Sequence, residues 1–171
     1  LGSVSNKLLS KLSDIPVILA GNRPQTDKVL IGIDGSPSSA RAVDFVADMM
    51  GGLSYGVDLF HVIRGGNAID PLRFDYMPPE LVEVLKKGIE IQMQEYREKL
   101  VSSGFDMERV MEHVITDVPS RAAAIVAEAE AQDCSTIVVG RRGVSRVQEF
   151  FMGRGCNKVV HIGRDFTVWI V

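Results

Sequence analysis

Three glycines carry the chemistry most directly legible in this chain. Gly140 and Gly143 follow a short apolar, β-branched run, Thr136–Val139, and after nine more residues comes Gly153. Glycine has no Cβ and tolerates positive φ, so backbone N–H groups at such positions can approach a ligand oxygen closely. The segment after Gly153 reads as a helix start, where free N–H groups and partial positive charge gather. An anion, above all a phosphate, suits that frame, and Arg141, Arg142 and Arg146 keep its loop positive. Strand-to-helix turns also use glycine for geometry alone, with nothing bound.

The elements that must position this frame alternate strand and helix from Lys28 onward, the pattern of a parallel sheet with right-handed crossovers. Residues 29–34 read as the first strand, with Ser36 as N-cap and Pro37 as first residue of a helix whose Ala42, Phe45, Val46 and Met49 recur at helical spacing. Gly51 and Gly52 close it, and residues 57–63 form the second strand. The loop 64–79 is long for such a unit and reads as a lid, an interaction surface or simply a variable loop. Pro79 then opens a long helix with Val82, Leu85, Ile89, Met93, Tyr96 and Leu100 on one stripe, ended by Gly104. Residues 107–115 supply a more polar third strand suited to a sheet edge, and Asp117 and Pro119 are expected to start an alanine-rich helix. Thr136–Val139 is the fourth strand and 166–171 the fifth.

The glycine frame, written GxxG, nine residues, then G, resembles the nucleotide-binding signature of the universal stress protein family, as does the opening KVLIGIDGSPSSARAV. Together these cover about residues 28–171. The resemblance implies an open, five-stranded parallel α/β sheet of Rossmann-like type, helices on both faces, strand order 3-2-1-4-5, with a ligand crevice where that order reverses. It places Asp34 against a ribose hydroxyl or a metal accompanying phosphate, and Ile33, His61 and Val62 near the base. Asp34 also suits a capping role for the following helix. A lone histidine such as His61 is more often a hydrogen-bonded structural residue than an acid or base.

One departure from the family pattern matters. Nucleotide-binding members carry GSVS or GSVT, whose hydroxyls meet phosphate; here the residues are Gly153, Arg154, Gly155 and Cys156. ATP, with or without Mg, is therefore expected to bind weakly or not at all, unless Arg154 substitutes a charge-assisted fork.

Residues 1–20 match the last 20 without gaps at Gly2 and Gly153, Asn6 and Asn157, Lys7 and Lys158, Asp14 and Asp165, Val17 and Val168. The N-terminus thus reads as the end of a preceding domain of the same family, a helix with Leu1, Val4, Leu8 and Leu12 on one face followed by an edge strand over 15–20. Gly2, Ser3, Val4 and Ser5 retain the intact hydroxyl motif. Residues 21–27 are the linker and 28–171 the domain proper. The tail strand is expected to lie antiparallel to 166–171, in the same molecule or across a dimer, covering an apolar edge.

Of 171 residues, 46% are hydrophobic, enough for a sizeable core, and no apolar run approaches the roughly 20 residues a membrane helix needs. A net charge of −3 argues against general nucleic-acid binding. Two cysteines, Cys134 and Cys156, suggest neither a disulfide framework nor a zinc site, and a reduced, cytoplasmic home is expected. The opening LGSVSNK lacks the features of a signal peptide. No nucleophile, base and orienting group stand out as a set, so a regulatory, non-enzymatic module is expected, pairing through its fifth strand. The alternative is an ATP-using enzyme on a similar sheet, of the adenine nucleotide alpha-hydrolase-like class. The SGGxDS-type loop of its pyrophosphate-releasing ligases is not supplied by DGSPSS, residues 34–39.

Overall fold

A computed structural model describes residues 9, 12, 15–63, 77–143 and 152–171. The strands are β1 (Val17–Leu19), β2 (Lys28–Ile33), β3 (Gly56–Ile63), β4 (Val110–Thr116), β5 (Thr136–Val139) and β6 (Thr167–Ile170). The helices are α1 (Pro37–Met50), α2 (Pro79–Ser102), α3 (Arg121–Ala131) and α4 (Arg154–Ile162). They build one six-stranded sheet in the order β1-β6-β5-β2-β3-β4. All pairs are parallel except β1 with β6.

Removing β1 from that order leaves the five parallel strands in the sequence expected from the family resemblance. β2, β3 and β5 sit inside the sheet with both faces covered, which is why they read as nearly unbroken apolar runs rather than alternating ones. One apolar layer joins Val29, Ile31, Leu59 and Val138 to Val43 and Val46 of α1 and Met93 of α2. The opposite layer joins Leu30, Phe60, Ile137 and Val139 to Ala129 of α3 and Val159 and Val160 of α4. On the first face Phe45 meets Trp169 edge to face, centroids 5.6 Å apart, tying α1 to β6.

β1 fulfils the expected antiparallel pairing within the same molecule: Val17 faces Ile170, Ile18 faces Trp169 and Leu19 faces Val168. Residues 21–27, expected as a plain linker, lie against β6. Arg23 N–H donates to the Asp165 carbonyl at 2.7 Å, and its guanidinium sits 4.6 Å from the Phe166 ring centre. The N-terminal helix and the segment 64–76 of the long loop lie outside the described residues.

Some boundaries shift for physical reasons. Met49 is exposed while Val43, Ala47 and Met50 complete the buried face of α1. Leu85 is likewise exposed on α2. Met107–Arg109 form a 3-10 turn capped by the Asp106 side chain, so β4 starts at Val110. Asp117 does not open α3. Its φ is +62°, outside the helical region, and Ser120 provides the cap by accepting from Ala123 N–H. Among the described residues no helix is long and apolar enough to cross a membrane.

Candidate functional site

The order of the strands reverses between β2 and β5, and the turns leaving their carboxyl ends form the crevice. After β2 the chain turns at Asp34, whose Oδ1 accepts from Ser36 N–H at 3.0 Å. Ser36 Oγ caps α1 by accepting from Ser39 N–H and donates to the Arg142 carbonyl at 3.2 Å. Ser38 Oγ accepts from Arg142 N–H at 3.3 Å and donates to the Val171 carbonyl at 3.2 Å. Two serines on the first turn of α1 therefore hold the glycine turn that follows β5.

The three glycines stand in different surroundings. A Cβ on Gly140 would lie 2.7 Å from the Ser38 carbonyl carbon and 2.8 Å from Ser39 N, so its absence lets α1 dock on the end of β5. A Cβ on Gly143 would lie 2.6 Å from Asp34 Oδ2, so any larger residue there would push that carboxylate aside. Gly153 is different. Its φ is −64°, and a Cβ there would meet nothing closer than 3.4 Å. Among the described residues neither backbone strain nor a clash demands glycine at Gly153. Its N–H donates to the Arg141 carbonyl at 2.8 Å, joining the two ends of the loop.

Gly153 is the N-cap of α4 and brings no side chain to cap it, and no acidic residue lies in the first turn. That turn offers N–H groups and the positive end of the helix dipole to an anion. Arg154 and Gly155 are exposed there, and a Cβ on Gly155 would find open space.

Two predicted site residues face elsewhere. Arg141, expected to keep the loop positive toward a ligand, is buried. Its Nη1 donates to the Leu9 carbonyl at 3.1 Å and its Nη2 to the Ile15 carbonyl at 2.9 Å, so its charge fastens the N-terminal tail. Cys156, expected to stand where a phosphate-facing hydroxyl is lost, points instead into the apolar layer under α4. Burial pushes its thiol up to about 12 against the opposing pull of Arg141. Arg146 and the N-terminal Gly2, Ser3, Val4 and Ser5 lie outside the described residues.

On the base side, Ile33 and Val62 bury their side chains on opposite faces of the sheet, so any ligand there meets backbone. His61 Nδ1 lies 2.7 Å from the Ile33 carbonyl. A carbonyl only accepts, which fixes the proton on Nδ1 and leaves Nε2 as the acceptor of the neutral ring. Burial lowers the His61 pKa from its ordinary 6.5, the hydrogen bond to Ile33 opposing that shift. These contacts give His61 the structural role that a lone histidine there most often has.

A mostly parallel α/β sheet with this crevice at its reversal point defines an open, doubly wound domain. The chain belongs to the Universal stress protein family, whose sequence profile matches residues 25–164. It is similar to the universal stress protein YxiE of Bacillus subtilis (strain 168), 28% identical over 140 residues, spanning 78% of this chain and 90% of that one. Its fold is similar to that of hypothetical protein MJ0577, with a TM-score of 0.70 and 23% identity, covering 86% of this chain and 96% of that one. It is also similar in fold to a universal stress protein in complex with cAMP, with a TM-score of 0.61 and 21% identity, covering 84% and 95% of the two chains.

Sequence reading missed a second cluster altogether. Asp58 on β3, His113 on β4 and Glu128 on α3 bring one ring nitrogen and two carboxylates within 4.8 Å of one another. The available signal was an aspartate inside the apolar strand GVDLFHVI.

Proposed function

We propose that this chain is a non-enzymatic regulatory module that recognises an adenine nucleotide, with Mg where the phosphates require it, in the crevice between β2 and β5. The observation that carries the reading is Gly153: a glycine that no clash among the described residues demands, at a helix N-terminus without a side-chain cap, beside the loop that passes Asp34. The cAMP complex of a structural relative supports an adenine nucleotide as the ligand class. Asp34 keeps its Oδ1 on Ser36 N–H and presents Oδ2 to the passing loop, which suits a ribose hydroxyl or a phosphate-bound metal approaching from the same side.

ATP is held at reduced affinity, because Arg154 stands where nucleotide-binding members place a hydroxyl. One missing hydrogen bond to a charged oxygen corresponds to about 1.5–3 kcal/mol, or roughly 10- to 150-fold in affinity. The burial of Cys156 reduces the expected loss from two such bonds to one.

A regulatory rather than catalytic role is supported by the side chains around the crevice. His61 has committed Nδ1–H to a backbone carbonyl, and the Cys156 thiol is buried with its pKa pushed up to about 12. A cytoplasmic location belongs to the same proposal, as does the reading of β1 on β6 as a pairing between domains, residues 1–20 being the end of a preceding domain.

Calorimetric titration of the full chain with AMP, cAMP and Mg-ATP tests the reading. The expected result is one-to-one binding of at least one adenine nucleotide, lost in Gly153→Val, a variant whose added side chain fills the approach. Absence of heat with all three ligands at millimolar concentration would contradict it.

A further inference from the structure

We propose that Asp58, His113 and Glu128 form a divalent transition-metal site, zinc-type in its ligand chemistry, that fastens α3 to the β3 and β4 strands at the end of the sheet away from the crevice. Asp58 faces the same side of the sheet as Phe60 and Val62, and His113 pairs beside Phe60 in the parallel register. Glu128 descends from α3 onto both. The Asp58 pairing partner on β2 is Leu30, whereas the crevice begins beyond Ile33. Three residues of strand separate them, roughly 10 Å.

The three groups satisfy one another poorly. His113 Nδ1 lies 3.1 Å from both Asp58 oxygens and 3.2 Å from Glu128 Oε1. A ring nitrogen carries one N–H at most, so a single donor faces three carboxylate oxygens. Asp58 is 5% exposed, and its Oδ1 has no hydrogen-bond donor. A buried carboxylate oxygen without a partner is costly, and the remedy that satisfies all three groups together is a cation at their centre.

The spacing suits such an ion. Tetrahedral coordination with bonds of 2.0–2.1 Å places neighbouring ligand atoms about 3.3 Å apart, close to the 3.1 and 3.2 Å from His113 Nδ1 to Asp58 and Glu128. One imidazole nitrogen with two carboxylates favours zinc and its transition-metal neighbours over Mg²⁺, which prefers oxygen alone. Lys28 Nζ donates to the Gln132 carbonyl at 3.3 Å. The Gln132 amide in turn donates to Glu128 Oε1 at 2.9 Å, aiming that carboxylate from behind as outer partners of metal ligands do. The side chains of His113 and Glu128 are 32% and 21% exposed, so an ion has a route in from the β4 edge and a water can complete the coordination.

Titration of the full chain with zinc chloride tests the proposal, after treatment with chelator. The expected result is one Zn²⁺ per chain with Kd near or below about 10 μM, a matching rise in Tm, and no response to Mg²⁺ at the same concentration. Glu128→Gln, which keeps the volume, and His113→Ala should each weaken binding at least about 10- to 100-fold, and Gln132→Ala by about 10-fold. His161→Ala, on the exposed face of α4, should change nothing. Should His113→Ala fail to fold, Glu128→Gln alone decides. No isotherm with Zn²⁺, an equal response to Mg²⁺, or undiminished binding in folded Glu128→Gln would each overturn the site.

Discussion

Gly140 and Gly153 differ in how closely the described residues crowd them. Gly140→Ala must push its methyl against backbone atoms of Ser38 and Ser39 and is expected to cost about 1–3 kcal/mol, measured by urea denaturation. Gly153→Ala should fold normally, because the added Cβ meets nothing closer than 3.4 Å. A stability for Gly140→Ala equal to that of the wild type would refute the docking role assigned to that glycine. The distinction was not legible in the sequence, where both positions simply read as glycines of a phosphate frame.

His61 makes a second prediction at the same scale. Its folded pKa is lowered by burial from 6.5, so below that value the unfolded chain takes up a proton that the folded chain resists. Its contribution to stability is therefore present above pH 6.5 and is lost as pH falls through the lower, folded pKa. His61→Asn keeps a donor for the Ile33 carbonyl and should flatten the stability profile as pH falls below 6.5. An unchanged slope in that variant would assign the pH dependence elsewhere. The two thiols, both pushed up to about 12, should react with a thiol reagent at neutral pH only at the rate of protein opening.

Among the elements, the N-terminal tail is where sequence and structure inform each other most. The five matches between residues 1–20 and the chain's end led to an expected strand in the tail, and β1 lies antiparallel to β6 as that expectation has it. What holds the tail was hidden. Arg141 reads locally as part of a positive ligand loop, yet the carbonyls it meets belong to Leu9 and Ile15, more than a hundred residues away. Arg141→Met removes both donors while keeping most of the apolar length. Each carbonyl left without its partner costs about 1–3 kcal/mol, so limited proteolysis should release the tail from this variant first. Protection equal to the wild type would show that β1 alone holds it. The helix starts divided similarly. Ser36–Pro37 was a true cap because its hydroxyl reaches Ser39, whereas Asp117 offered a capping residue in a backbone conformation that cannot enter a helix.

For the molecule as a whole, the alternation of strands and helices and the family motif were enough to place a parallel sheet and its reversal point. Side chains brought together from separate strands were not legible. Asp58, His113 and Glu128 share no spacing, and each alone passes for a surface residue or an isolated polar position. The nucleotide reading turns on the helix end at Gly153 and on Arg154 beside it. The most direct test is titration of wild type and Arg154→Ser with Mg-ATP under one set of conditions. The nucleotide proposal requires weak or undetectable binding by the wild type at low micromolar concentration and at least about 10-fold tighter binding by the variant. A tight one-to-one isotherm for the wild type, weakened by the substitution, would contradict it and make Arg154 the phosphate ligand.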